Sequence, residues 1–388
     1  MSAPMKEAHD TSHPVSAGLN PLRHLEEELL ELEHAGLLRV PPLAASPVGM
    51  LVLCSNDYLG YAGLPWPADE DAASGAGASR LVSGTHEAHL MAEREIAGWL
   101  GVEATLLFSS GYAANVGAVT ALARPGDVVV SDALNHASLI DGCRLSGARI
   151  EVVRHLDLGA VEQALVRGRS ARRRWVVTES LFSMDGDTPD LRRLRELCDG
   201  HDAALVVDEA HALGICGPRG MGLCAEAGVR PDVLIGTLGK SLGLHGAFVA
   251  GSSTLRTYLW NRARSFVFST GISPRVAMAA VDRVRRAAAD DVGRARVAAA
   301  ARRLRAGLRA MGAPLLPGSA GPILPWILES AGAAVEMSKR LAHEGVLVQA
   351  IRPPTVPAGT SRLRITASAS LSEADVDRAL AAFRRAMR

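Results

Sequence analysis

Apolar residues in this chain come in short unbroken runs rather than in strict alternation with polar ones. Runs rich in Val, Ile and Leu recur at 104–108, 128–130, 150–153, 175–177, 204–207, 233–235 and 247–250. Helix-compatible segments lie between most of them, at 138–146, 158–166 and 191–198. A strand that is apolar along its whole length is buried on both faces. Strands of that kind alternating with helices make a parallel sheet with helices on either side. The pattern predicts an α/β fold with a mostly parallel central sheet, in a large domain spanning 51–290. Such a sheet binds its ligand beyond the carboxyl ends of its strands.

The flanking regions read differently. Residues 1–20 are small and polar, with Pro4, Pro14 and Gly18, and predict a disordered tail. Leu22, Leu25, Leu29 and Leu32 then recur at helical spacing, with glutamates opposite and Gly36 at the stop, so 21–50 reads as a helix and arm. A strand is expected at 51–53 and a helix at 86–100, ended by Gly101. After about 290 the texture changes. An Arg/Ala-rich helix (292–311) and a Pro-rich segment precede a strand–helix–strand–strand–helix series, a smaller α+β domain over 291–388. Within it Arg362 and Arg364 occupy one face of a period-2 strand. A solvated face accounts for one of them, while a fork aimed inward suits a carboxylate.

Composition narrows the classes. The 388 residues carry a formal net charge of +1 and only 4% aromatics, which argues against nucleic-acid binding by charge or by stacking. The N-terminus has no apolar signal region. The uncharged stretches 105–123 and 311–328 are interrupted by polar, Gly and Pro residues, so a cytoplasmic protein without a membrane span is expected. Cys54, Cys143, Cys198, Cys216 and Cys224 are odd in number and form no C-x-x-C pair. Neither a disulfide framework nor a metal site is expected.

The cations change the picture more. Only Lys6, Lys240 and Lys339 are lysines; the rest are arginines. Asp208 ends an apolar strand in Val206-Val207-Asp208-Glu209-Ala210-His211. Gly239-Lys240-Ser241 does not make a Walker A motif with it. It follows Asp208 in the chain, and Leu234 stands where that motif needs glycine. The other pairing is chemical. A strand-end carboxylate holds a protonated pyridine nitrogen, and a lysine in an apolar, Gly-rich turn loses its proton and forms a Schiff base. These are the two requirements of a pyridoxal 5'-phosphate (PLP) enzyme. Ser109-Ser110-Gly111-Tyr112 follows a strand and opens a helix, where backbone N–H groups cradle an anion. Thr237, Ser269 and Thr270 are further phosphate candidates. His136 follows another strand and reads as a capping or core residue, or, with a pyridine ring beneath it, as one that stacks and hydrogen-bonds, and His211 lies on the Asp208 side.

Together these motifs resemble the α-oxoamine synthases, fold-type I PLP enzymes that condense an amino acid with an acyl thioester and release carbon dioxide. The resemblance runs from about Ser55 to the end. It includes Ser55-Asn56-Asp57-Tyr58-Leu59-Gly60, Val82-Ser83-Gly84-Thr85-His86, Ser110-Gly111-Tyr112-Ala113-Ala114-Asn115 and Asn135-His136-Ala137-Ser138. It continues through Ser183-Met184-Asp185-Gly186-Asp187, Asp208-Glu209-Ala210-His211 and Thr237-Leu238-Gly239-Lys240. The segment 350–360 looks most like members that join L-alanine to a pimeloyl thioester, on coenzyme A or acyl carrier protein, in biotin biosynthesis. The resemblance implies that Lys240 holds the cofactor, Asp208 pairs with its ring nitrogen and His136 stacks on the ring. His211 and Ser183 would contact the phenolic oxygen or substrate, and Gly111, Tyr112 and Thr237 the phosphate. It implies a homodimer in which Ser269 and Thr270 complete the partner's phosphate site. Arg364 and Asn56 would hold the amino-acid carboxylate, and Thr355 and Arg39 would face the acyl chain or its carrier. Leu238 and Ser241 replace an expected Phe and Gly, and Glu209 replaces a common second Asp. Members that use glycine or serine are the alternative, and a catalytically silent cofactor-binding subunit is a remote one.

Overall fold

The structure is a computed structural model that describes residues 21–39, 49–66 and 73–388. It divides into two compact units, Met1–Ala45 and Ser46–Arg388. In the first, a helix runs over His24–His34 as the leucine spacing predicts, and Gly36 follows it at φ 67°. The expected tail 1–20 and the arm residues 40–48 lie outside the described residues.

In the second unit, β1 (Leu51–Val52) precedes seven strands that share one sheet. These are β2 (Ala104–Phe108), β3 (Val128–Asp132), β4 (Arg149–Val153), β5 (Arg174–Glu179), β6 (Ala203–Asp208), β7 (Val233–Thr237) and β8 (Ala247–Gly251). Their order is β2-β8-β7-β6-β5-β3-β4. All pairs from β7 to β4 are parallel, and β8 is antiparallel to both of its neighbours. Successive side chains of a strand face opposite ways, so each strand feeds two cores. Val129, Val177 and Val206 pack on one face with Leu139 and Ala118. Val130, Val176, Leu205 and Val207 pack on the other with Leu165 and Leu194. Each fully buried Leu or Val contributes about 1.5–3 kcal/mol over its exposed state, which is why the runs contain no polar alternation.

The C-terminal part has β9 (Ile323–Glu329), β10 (Val346–Leu347), β11 (Gln349–Ile351) and β12 (Ser361–Thr366). An antiparallel sheet runs β11-β12-β9, and β10 pairs in parallel with β1. Leu51 and Leu53 therefore belong to the C-terminal core, beside Leu304, Trp326, Leu363 and Phe383. Periodicity gives a strand at 51–53 but not its partner. The solvated face expected on β12 is absent. Leu363 and Ile365 face the core, and Arg362 and Arg364 are buried too, because the loop after β5 covers the other face.

No helix among the described residues is long and apolar enough to cross a membrane.

Candidate active site

Four parallel strands end in polar residues at one edge of the sheet: Asp132, Glu179, Asp208 and Thr237. Lys240 stands just past them. No helix separates β7 from β8; a tight loop joins them, closed by the Leu238 N–H to the Gly246 carbonyl (2.9 Å) and the Leu244 N–H to the Leu238 carbonyl (2.8 Å). Gly243 adopts φ +64°, and a Cβ there would lie 2.4 Å from the Ala62 nitrogen, so only glycine lets the loop pack so close. This loop holds Lys240 at the strand ends.

The Lys240 ammonium makes no hydrogen bond or ion pair among the described residues. Burial lowers its pKa to about 8, against the pull of Asp208 and Glu179. Asp208 is buried and firmly seated. One carboxylate oxygen accepts from the Asn115 amide (2.7 Å) and the other from the Ala210 N–H (2.8 Å). Asn115 also donates to the Ser138 hydroxyl at 2.8 Å. That hydroxyl keeps its own proton for His136 Nδ1, 2.7 Å away. His136 caps the helix Ala137–Ser146, and burial holds its pKa below the usual imidazole value. A neutral His136 with Nδ1 as acceptor carries its proton on Nε2.

Glu179 is the residue that sequence reading missed. It pairs in register with Asp208 across β5 and β6. One oxygen accepts from the Ser183 N–H at 3.2 Å and the other, buried, has no partner. Burial and then Asp208 push its pKa up to about 8. The available signal was its position: like Asp208, it is an acid closing an apolar strand.

A second wall comes from the segment after β1 and from β12. The Thr366 N–H donates to the Leu53 carbonyl (2.8 Å) and the Ala369 N–H to the Tyr58 carbonyl (2.7 Å). The stitching places Asn56 and Tyr58 beside Arg364. Arg364 donates through Nε to the Ser183 carbonyl and through Nη2 to the Tyr58 hydroxyl (3.3 Å), and its Nη1 has no partner among the described residues. Arg362, two residues away, is bound instead to Asp185 and the Met184 carbonyl. Desolvation pushes the pKa of His211, buried beside Tyr58, well below its usual value.

The loop that carries Ser183 is clasped from below. His155 reaches Asp132 (2.9 Å) with Nδ1 and Asp187 (3.1 Å) with Nε2, and its ring meets Phe182 edge-on at 4.4 Å. Gly186 turns the loop at φ +68°, where a Cβ would lie 2.9 Å from the Ile323 carbonyl oxygen.

The phosphate candidates divide. Gly111 opens the helix Gly111–Leu122 and faces Thr237, whose Oγ1 would lie 3.9 Å from a Cβ at Gly111. The Thr237 hydroxyl accepts from the Gly239 N–H and donates to the Gly246 carbonyl, each at 3.1 Å. The Tyr112 hydroxyl turns outward to Asp141. Ser269 and Thr270 follow the exposed Phe268, and Thr270 bridges to Ser79. Thr355 is exposed in the loop between β11 and β12, and Arg39 is exposed in the N-terminal unit.

A family model for aminotransferase class I and II matches residues 48–383. The chain belongs to that family. Among curated relatives, 8-amino-7-oxononanoate synthase of Anaeromyxobacter sp. (strain Fw109-5) is 48% identical, over 95% of this chain and 96% of that one. The protein of the same name from Marinobacter nauticus is 44% identical, over 93% and 95%. Among solved structures, the serine palmitoyltransferase of Sphingomonas wittichii superposes with a TM-score of 0.86 at 30% identity, covering 96% of this chain and 98% of that one. The 8-amino-7-oxononanoate synthase of Francisella tularensis, at 22% identity and a TM-score of 0.73 over 88% and 98%, shares the fold. The expected α/β architecture of fold-type I transferases, with its mostly parallel sheet, is the one this family member adopts.

Proposed function

We propose that the chain is a PLP-dependent α-oxoamine synthase. It joins L-alanine to a pimeloyl thioester, giving 8-amino-7-oxononanoate, carbon dioxide and the free thiol carrier, in biotin biosynthesis. The observation that carries this reading is Lys240: a primary amine with no hydrogen-bond partner among the described residues and a pKa of about 8, beside a strand-end aspartate. The residues present fit PLP. Asp208 accepts one hydrogen bond on each oxygen and has lone pairs left for a pyridinium N–H. Glu179 carries a buried, unpartnered oxygen. The N–H groups of Gly111 and Tyr112 in the first turn of their helix suit a phosphate.

PLP, when bound, supplies the electron sink that stabilises negative charge at the amino-acid α-carbon. The chain supplies the rest. Lys240 Nζ anchors the cofactor, then takes and returns the α-proton. An amine with a pKa near 8 is matched to that task near neutral pH. Asp208 keeps the proton on the pyridine nitrogen. Arg364, through Nη1, which has no partner among the described residues, and Asn56 hold the substrate carboxylate. His136 would lie against the bound cofactor and, with its proton on Nε2, would donate to the oxyanion that develops at the thioester carbonyl. His211 and Ser183 face the phenolic oxygen, Gly111, Tyr112 and Thr237 the phosphate, and Arg39 and Thr355 the acyl chain or its carrier.

The working unit in this reading is a cytoplasmic homodimer with shared sites. Leu81, Val82 and Phe268 are exposed at 40%, 80% and 71%, and Phe268 runs directly into Ser269 and Thr270. A second copy that covers this apolar surface receives those hydroxyls at its own phosphate site. The division into a large part over 51–290 and a small part over 291–388 belongs to the same reading.

The test is a panel of alanine, glycine and serine, each with pimeloyl-CoA and with pimeloyl-carrier protein. Alanine should give the strongest change in the visible band of the bound cofactor and the fastest thiol release. A strong response to glycine alone would overturn the alanine assignment.

A further inference from the structure

The hydroxyl of Tyr58 is fully buried, so its proton must go to a protein atom. Three groups surround it. Arg364 Nη2 lies 3.3 Å away and can only donate, so it occupies a lone pair of the phenol oxygen. Two acceptors compete for the phenol proton. Asn56 Oδ1 is at 3.3 Å, outside the usual range for O–H···O bonds, whereas His211 Nδ1 is at 2.8 Å. The proton therefore points to Nδ1. Burial keeps the His211 ring neutral, and a neutral ring that accepts at Nδ1 carries its hydrogen on Nε2. Nε2 has no partner among the described residues.

We propose that Tyr58 is a positioning residue that fixes His211 as the Nε2–H tautomer and, through the same oxygen, holds the Arg364 guanidinium in place. One phenol thus orients both the group that would donate to the cofactor's phenolic oxygen and the group that would bind the substrate carboxylate. The inference rests on the functional reading above and assigns a part to a residue to which that reading gives none. A phenylalanine fills the same volume and removes only the oxygen. In that variant both His211 tautomers become accessible and Arg364 keeps only its bond to the Ser183 carbonyl.

The test is ¹⁵N NMR on the holoenzyme labelled at histidine, with His211→Asn used to assign the ring signals. In the wild-type protein the His211 Nδ1 should resonate as an unprotonated ring nitrogen and Nε2 as a protonated one. In Tyr58→Phe the two signals should move toward each other, while KM for the amino acid rises about tenfold, the loss of one hydrogen bond to a charged group, and kcat changes less. A protonated Nδ1 in the wild-type protein overturns the proposal even if the variant does not fold. Unchanged ring signals in a folded variant overturn it as well. A protein that develops no visible band with PLP would instead fault the functional reading, and the wild-type ring signals would still judge Tyr58.

Discussion

Two sets of buried charges border the same loop and are built in opposite ways. Beneath the loop, each charge faces an opposite one: His155 lies between Asp132 and Asp187, and Arg362 against Asp185. Above it, titratable groups are left short of partners. Among the described residues Lys240 has none, Glu179 keeps a bare oxygen, and Arg364 donates only to neutral oxygens. A buried charge that finds its counter-ion holds structure together. One that is desolvated and left open has its proton affinity displaced and is ready for a ligand. The pKa values follow this division. Burial works against the charged form of His155, yet its aspartates raise it to about 10, whereas Lys240 falls to about 8. His155, Asp185 and Asp187 also have the side chains of a metal site, but both ring nitrogens of His155 are engaged by Asp132 and Asp187 and the Asp185 carboxylate by Arg362, which leaves one buried Asp187 oxygen without a partner among the described residues.

The contrast can be broken at four places. Lys240→Ala should abolish turnover and the visible cofactor band while leaving the melting temperature unchanged or higher, since it removes a half-buried, desolvated amine that has no partner among the described residues. Residual wild-type activity in that variant would end the assignment of Lys240. Asp208→Asn should still take up PLP, measured by its absorbance, but lose on the order of 10²–10³ in kcat; a near-normal rate removes Asp208 from its role. Arg362→Ala should act on stability, leaving Asp185 without its counter-ion at a cost of about 3–5 kcal/mol in urea unfolding. If it instead altered KM for the amino acid without destabilising, Arg362 would belong with the open set. His155→Gln should have an effect on stability that depends on pH and becomes the smallest of the four at alkaline pH. A histidine raised from 6.5 to about 10 binds its proton more tightly in the folded state. Its contribution is therefore complete below pH 6.5, shrinks as pH rises, and is gone above about pH 10. The stability gap between wild type and variant should narrow over that interval; a constant gap would show that the clasp holds without its charge.

The large sheet was legible because burial on both faces leaves a mark in composition. The runs at 204–207 and 233–235 needed only one or two residues at their ends to become β6 and β7. Asp208 and Lys240 were legible for a related reason, as polar residues standing where such runs stop. What stayed hidden depends on pairing. Glu179 becomes a neighbour of Asp208 only through the register of β5 and β6. Arg362 is buried because a loop nearly two hundred residues upstream covers it. The antiparallel setting of β8 is hidden as well, since 247–250 is as apolar as its parallel neighbours. Tyr58 lies within the motif Ser55–Gly60, but its closeness to Arg364 and His211 emerges only from the fold.

The pairing of Leu51 with Val346 has a consequence for how the molecule comes into being. A strand made early must wait for almost the whole chain to leave the ribosome before it finds its neighbour, and contacts so far apart in sequence form late and slowly. Asn56 and Tyr58 hang directly from that strand. The wall of the crevice that carries Asn56, Tyr58 and Arg364 is therefore assembled last, after the sheet that bears Lys240 and Asp208 has had time to form. A chain stopped short of β10 could build the sheet half of the crevice and never this wall.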